Sequence, residues 1–211
     1  MVVSDLKEFI FCHIPKTGGG SVRKTLWPHC GEQIETSAGS VVTGQYLRPH
    51  LPMRLGQKIL GENRFKEYFK FSFVRNPWDR FVSFYYFIHQ NKAHARHEEV
   101  RKLSFSAFID KVVSTPLGGI FPKGRFRTQK DFLYDKENNL LVDFVGRFET
   151  LQKDLDSVSD KLGIESLKLP EQHVHKTDHE RYTNYYNDST REKIARAAKS
   201  DIKTFGYKFG D

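Results

Sequence analysis

Cysteine is scarce in this chain. Cys12 and Cys30 are the two in 211 residues, too few for a disulfide framework, and they read as free thiols of a reducing compartment. Cys12 lies in an apolar run and reads as a small core residue. No apolar run approaches the roughly 20 residues that span a bilayer, which excludes a transmembrane helix. Residues Met1 to Glu8 lack the basic-then-apolar order of a signal peptide. There is no internal repeat, no low-complexity tract and no Pro/Gly/Ser-rich linker. The expectation is therefore one domain, 1–211, with a sizeable core.

Acidic residues are in the minority. The 26 Asp and Glu face 34 Lys and Arg, for a net charge of +8. Such a balance asks for an anionic partner: nucleic acid, an acidic membrane surface, or an anionic cofactor and substrate. Composition alone does not choose among them. Aromatics make up 14% of the chain, enough to build a core and to exclude intrinsic disorder.

Two strand–turn–helix units stand out. Phe9 to Ile14 is an apolar run of strand type, broken by Pro15-Lys16-Thr17-Gly18-Gly19-Gly20, after which Ser21 to Leu26 starts a helix. Tyr68 to Val74 is an aromatic strand, and Asn76 followed by Pro77 opens a helix through Gln90. Leu55 to Phe65 reads as helical, and Ala93 to Lys102 as a charged, solvated segment. Ser104 to Val113 is a short helix with Phe105, Phe108, Ile109 and Val112 on one face. Pro116 to Thr128 is a loop, Leu140 to Phe148 a strand, and Leu151 to Leu162 a helix stopped by Gly163. Glu171 to Tyr186 is irregular, and Ser189 to Glu192 matches a capping box for a helix to about Lys203. This alternation predicts an α/β fold with a central parallel sheet flanked by helices.

The loop Pro15–Ser21 carries the clearest chemistry. Glycines let backbone approach an anion, and successive N–H groups form an anion-binding nest. The following helix adds its N-terminal amides and dipole. Lys16 adds a full charge, and Thr17 and Ser21 add hydroxyls. The usual triphosphate loop places lysine after the glycines, whereas here it precedes them. No acidic strand end is evident to hold magnesium. The loop suits a phosphate-like group.

In the second unit, Arg75 ends a strand, where ligands bind in open α/β sheets. Asn76, Asp79, Arg80 and Ser83 recur at helical spacing and make one polar stripe, with Trp78, Phe81, Val82 and Tyr85 toward the core. Arg75 and Ser83 are placed to hold a second phosphate, the arginine through its planar fork. Ser83 as a small packing residue, Arg80 as a surface ion-pair residue and Asp79 as a dipole-favoured first-turn carboxylate are the alternatives.

Together these stretches resemble sulfotransferases that use 3′-phosphoadenosine 5′-phosphosulfate (PAPS). The strand–Pro15-Lys16-Thr17-Gly18-Gly19–helix resembles their 5′-phosphosulfate loop, and Arg75-Asn76-Pro77 with Ser83 their 3′-phosphate motif. The pattern is that of the carbohydrate branch, the sulfotransferase family 2 type. Val142 to Glu149, His175-Lys176-Thr177 and Asp201-Ile202 with Phe205-Gly206-Tyr207 extend the likeness over most of the chain. Gly20 departs from it, since the family often has threonine there.

The resemblance implies a single P-loop-like domain and a PAPS-dependent enzyme acting on a carbohydrate or glycoconjugate hydroxyl, with adenosine 3′,5′-bisphosphate as product and no metal. It implies that Lys16 contacts the 5′-phosphosulfate and steadies the leaving oxygen, while Thr17, Gly18, Gly19, Gly20 and Ser21 cradle that group. Arg75 and Ser83 would bind the 3′-phosphate, and Lys176 and Thr177 would line the cofactor. Of the two histidines between Ser21 and Arg75, His29 and His50, the more family-like position for a catalytic base is His50. Lys123, Arg125 and Arg127 form a basic loop that suits an anionic sugar; a solvated loop is the alternative. His173, His175 and His179 lack the partners of a metal site. His13 reads as a support for the phosphate loop, and His89, His94 and His97 as exposed.

Two other functions stay open on the sequence: a nucleotide or small-molecule kinase with an atypical phosphate loop, and a basic nucleic-acid-binding module. No nucleic-acid motif supports the second. A cytoplasmic, bacterial-type enzyme is expected, with a trimmed Golgi luminal domain as the alternative.

Overall fold

The computed structural model describes residues 1–31, 33–35, 41–43, 47, 50–114, 128–171 and 179–211. Its strands are β1 Val2–Ser4, β2 Phe9–Cys12, β3 Gln33–Glu35, β4 Val41–Thr43, β5 Phe69–Val74 and β6 Phe144–Arg147. Its helices are α1 Gly19–Leu26, α2 Met53–Leu60, α3 Glu62–Glu67, α4 Pro77–Gln90, α5 His97–Val100, α6 Phe105–Ser114, α7 Lys130–Leu133, α8 Leu151–Leu162, α9 Asp188–Ala197 and α10 Lys199–Phe205. The residues divide into two compact units, Met1–Val74 with Asp131–Val174, and Arg75–Lys130 with His175–Asp211.

The first unit holds a four-stranded sheet in the order β1-β2-β5-β6. β2, β5 and β6 run parallel, and Cys12 stands opposite Ser72 in the register. The expected parallel sheet therefore exists, with one addition: β1 is an antiparallel edge strand paired with β2. Its three residues are too short to show a period, so the sequence did not announce it. β3 and β4 form a separate antiparallel pair.

Strand periodicity builds the core of this unit. Phe9, Phe11, Phe71 and Phe73 are fully buried on one face, beneath Val22 and Leu26 of α1 and Leu151, Leu155 and Val158 of α8. Each such phenylalanine contributes about 1.5–3 kcal/mol relative to exposure. The Phe11 and Phe71 rings stack across the strand pair at 5.2 Å. Ile10, Cys12 and Ser72 alternate to the opposite face and are also fully buried. The Ser72 hydroxyl donates to the Cys12 carbonyl at 2.7 Å, which satisfies the one polar side chain at that point. A strand buried on both faces is what parallel sheets require.

The second unit is helical. Trp78, Phe81, Tyr85 and Ile88 of α4 pack with Phe105, Phe108, Ile109 and Val112 of α6 and with Ile194 of α9. The predicted apolar face of α6 is thus the buried one. The segment expected to be solvated, Ala93 to Lys102, instead contains α5, and Val100 is fully buried in this core. A single valine among charges gives no periodic signal, which is why the expectation failed.

Breaks in the helices follow local chemistry. Gly61, with φ 83°, separates α2 from α3 where one helix was expected. Gly163 ends α8 in the left-handed conformation, as expected of a glycine C-cap. The capping box of α9 is made by Asn187 and Thr190, two residues upstream of the predicted start at Ser189. Ala198 then interrupts the predicted helix and α10 follows. Among the described residues, no helix is long and apolar enough to cross a membrane.

Candidate active site

The loop after β2 is strained in a specific way. Lys16 has φ 65° and Gly18 has φ 77°, so the backbone is left-handed at alternate residues. Alternating hands curl successive amides into a concavity suited to an anion. A lysine at positive φ costs about 1 kcal/mol, and such strain gathers at functional sites. Gly18 is the N-cap of α1, and no side-chain cap serves that helix among the described residues. Amides at an uncapped helix start are satisfied by water or a ligand. Thr17 is buried, and its hydroxyl donates to the Ile14 carbonyl at 3.1 Å. Its proton therefore locks the loop, which leaves the amide as the group it can offer a ligand. Ser21 is also buried, and its amide donates to the Gly18 carbonyl at 3.0 Å.

The glycines here have a second reason to be glycine. A Cβ on Gly19 would lie 2.1 Å from the His13 ring, and one on Gly18 would lie 2.6 Å from Leu151. His13 therefore packs closely against the start of α1, as the support the sequence suggested. It is buried between Phe11, which it stacks on, and the ring of His50, 4.6 Å away. Burial, then the ring of His50, the amino terminus and the charges of Arg23 and Lys16, push its pKa well below the usual 6.5. His13 is neutral at physiological pH.

His50 stands at the end of this chain of contacts. It is exposed and itself left-handed, with φ 55°. Its Nδ1 lies 3.0 Å from the His13 carbonyl oxygen. A carbonyl only accepts, so Nδ1 carries the proton. In the neutral ring Nε2 is then the acceptor nitrogen, the form a base needs. His29, the other histidine considered, lies in a short 3₁₀ turn where its carbonyl accepts from the Ser4 hydroxyl at 2.7 Å.

Arg75 directly follows β5. Its side chain is almost completely buried, and Nε donates to Asp79 at 2.6 Å across one turn. Asp79 is thus an orienting partner for Arg75, beyond the dipole role read from sequence. Asn76 caps α4 as expected, accepting from the Trp78 amide at 3.1 Å, while its own amide donates to the Lys208 carbonyl at 2.8 Å. The polar stripe of α4 is not a solvent face. Asn76, Arg80 and Ser83 are all buried within the second unit. Arg80, weighed as a surface ion-pair residue, is instead buried; burial pushes the Asp201 carboxyl above its usual pKa, and the Arg80 charge opposes that rise.

Sequence reasoning missed Gln129 altogether. This fully buried side chain accepts from the Arg75 amide and donates to the Arg75 carbonyl, both at 2.8 Å. Asp201 accepts in turn from the amides of Gln129 (2.8 Å) and Lys130 (2.9 Å). No local pattern marks a glutamine that pairs with backbone 54 residues away. The Arg75–Asp79 pair was missed too, although its i,i+4 spacing is a local signal that could have found it.

Lys123, Arg125, Arg127, Lys176, Thr177, His173 and His175 lie outside the described residues. His179 donates from Nδ1 to the Glu180 carbonyl at 2.7 Å and stacks on Tyr86. His97 makes the same kind of bond to the Ile88 carbonyl at 3.1 Å. Cys12 and Cys30 are buried thiols whose pKa burial raises to about 12.

Comparison with known proteins bears on this geometry. The model of the sulfotransferase family matches residues 1–208. Carbohydrate sulfotransferase 11 of Mus musculus is 23% identical, over 98% of this chain and 66% of its own length. An uncharacterized protein of Archaeoglobus fulgidus is 28% identical over 54% of this chain and 83% of its own. Among solved structures, mouse sulfotransferase SULT7A1 complexed with PAP superposes with a TM-score of 0.56 at 14% identity, covering 95% of this chain and 86% of that one. The α/β fold is therefore the sulfotransferase fold, and with a family match over nearly its whole length the chain belongs to the sulfotransferase family.

Proposed function

We propose that the protein transfers a sulfuryl group from PAPS to a hydroxyl of a carbohydrate or glycoconjugate. The observation that carries this reading is the loop Pro15–Ser21: left-handed at Lys16 and Gly18, with no side-chain cap on α1 among the described residues and a lysine in its bend. Such a cradle fits a phosphate-like anion. The mouse carbohydrate sulfotransferase relative supports the acceptor class, and the PAP bound in the mouse neighbour supports the donor.

In this proposal Lys16, the amides of Thr17, Gly18, Gly19 and Gly20, and the hydroxyl of Ser21 hold the 5′-phosphosulfate. Arg75, oriented by Asp79, binds the 3′-phosphate together with Ser83. Lys176 and Thr177 line the cofactor, and Lys123, Arg125 and Arg127 receive an acidic acceptor. When bound, PAPS supplies the sulfuryl group and a leaving phosphate oxygen. Lys16 and the α1 dipole meet the charge that grows on that oxygen. His50 takes the acceptor's proton at Nε2 while Nδ1 stays fixed on the His13 carbonyl. Holding donor and acceptor in line supplies much of the rate.

Incubation with ³⁵S-labelled PAPS and a panel of glycans, glycolipids and lipopolysaccharides tests the proposal. Label transferred to a sugar hydroxyl is expected. Transfer only to phenols or steroids would overturn the acceptor class, and no transfer to any class would overturn the reaction.

A further inference from the structure

We infer that Gln129 is a positioning residue for the 3′-phosphate site, acting through the backbone of Arg75, and that Asp201 holds Gln129 in register. The inference rests on the proposed role of Arg75 above. Arg75 leaves β5 just before α4 begins, so its amide and carbonyl belong to neither element. Gln129 bonds to both. Its Oε1 accepts the Arg75 N–H and its Nε2 donates to the Arg75 C=O, each at 2.8 Å, as a neighbouring strand would. The side chain is fully buried, so water is poorly placed to substitute.

Gln129 is itself gripped. The two carboxylate oxygens of Asp201, on α10, accept from the consecutive amides of Gln129 and Lys130. Asp201 is fully buried, and that burial raises its pKa above the usual carboxylate value, while the charge of Arg80 on α4 and the amides of Gln129 and Lys130 oppose the rise. Arg75 is therefore fixed twice: its backbone by Gln129, and its guanidinium by Asp79 at Nε. Binding a phosphate with a planar fork demands that the fork be aimed before the ligand arrives. The bonds run from Asp201 through Gln129 to Arg75, so the expected effect is on the 3′-phosphate that Arg75 is proposed to bind.

The test compares adenosine 3′,5′-bisphosphate with adenosine 5′-monophosphate, which lacks the 3′-phosphate, by calorimetry on the full chain. Gln129→Leu keeps the volume and removes both hydrogen bonds. It is expected to weaken bisphosphate binding at least about tenfold and to leave the monophosphate within about twofold. Gln129→Glu provides the second variant. Ionised, it sets an oxygen against the Arg75 carbonyl; protonated, it donates there again. Its bisphosphate preference is expected to recover as pH falls, measured against the wild type at each pH. An unchanged preference in Gln129→Leu, or no recovery in Gln129→Glu should the leucine variant not fold, would overturn the inference alone. A wild type that binds both nucleotides equally would overturn the Arg75 assignment as well.

Discussion

The imidazole of His50 is bonded through Nδ1 to the backbone carbonyl of His13, 3.0 Å away, while the His13 ring lies against Gly19 at the start of α1. The base proposed for transfer and the loop proposed for the donor thus share one support. Replacing His50 with alanine should lower kcat by at least about 100-fold, the usual contribution of a positioned base. Bisphosphate affinity should stay at the wild-type value. Measuring kcat and Kd on the same preparation checks this, and near-normal turnover would assign the base elsewhere.

His13 also makes stability depend on pH. Its folded pKa is far below the 6.5 of the unfolded chain. Above pH 6.5 neither state is protonated there, and the group contributes no pH dependence. Below it, the unfolded chain takes up a proton that the folded one refuses. Stability should then fall by up to about 1.4 kcal/mol per pH unit from this group. Urea melts between pH 5 and 7.5 would show the slope. His13→Phe, a ring that never charges, should lose that part of it; an equal slope in both would show that His13 is not the group responsible.

Lys16 separates charge from conformation. Both Lys16→Ala and Lys16→Gly remove the ammonium, and each should weaken bisphosphate binding about tenfold or more. Glycine accepts φ 65° without strain, so Lys16→Gly should melt higher than Lys16→Ala by the equivalent of about 1 kcal/mol. Thermal melts and titrations on the pair check both halves. Unaltered affinity would remove Lys16 from the anion site.

Both thiols should be silent in the native protein. Cys12 is fully buried and Cys30 nearly so, each with a pKa raised to about 12. Iodoacetamide at pH 8 should label neither until denaturant is added. Rapid native labelling of either would contradict the burial described for it.

Much of this molecule could be read from its residues because the signals were local. Phe9 and Phe11 alternate, Asn76-Pro77 opens a helix, and Gly163 closes one, so each element declares itself within a few positions. The loop Pro15–Ser21 was equally plain. What stayed hidden was set by tertiary partners. Gln129 earns its place by meeting Arg75, and Asp201 by meeting Gln129, across separations no window covers. Val100 is buried by its neighbours in the fold despite the charges around it. The polar stripe of α4 was correctly phased, but the surface alternative weighed for Arg80 does not hold. Arg80 and Ser83 are instead enclosed.

Calorimetric titration of the purified protein with adenosine 3′,5′-bisphosphate, and separately with ATP and magnesium, tests the central claim most directly. A PAPS-dependent enzyme should bind the bisphosphate tightly without added metal and lose that binding in Lys16→Ala and Arg75→Ala. Tight binding of ATP with magnesium and none of the bisphosphate would contradict sulfuryl transfer and point to a kinase.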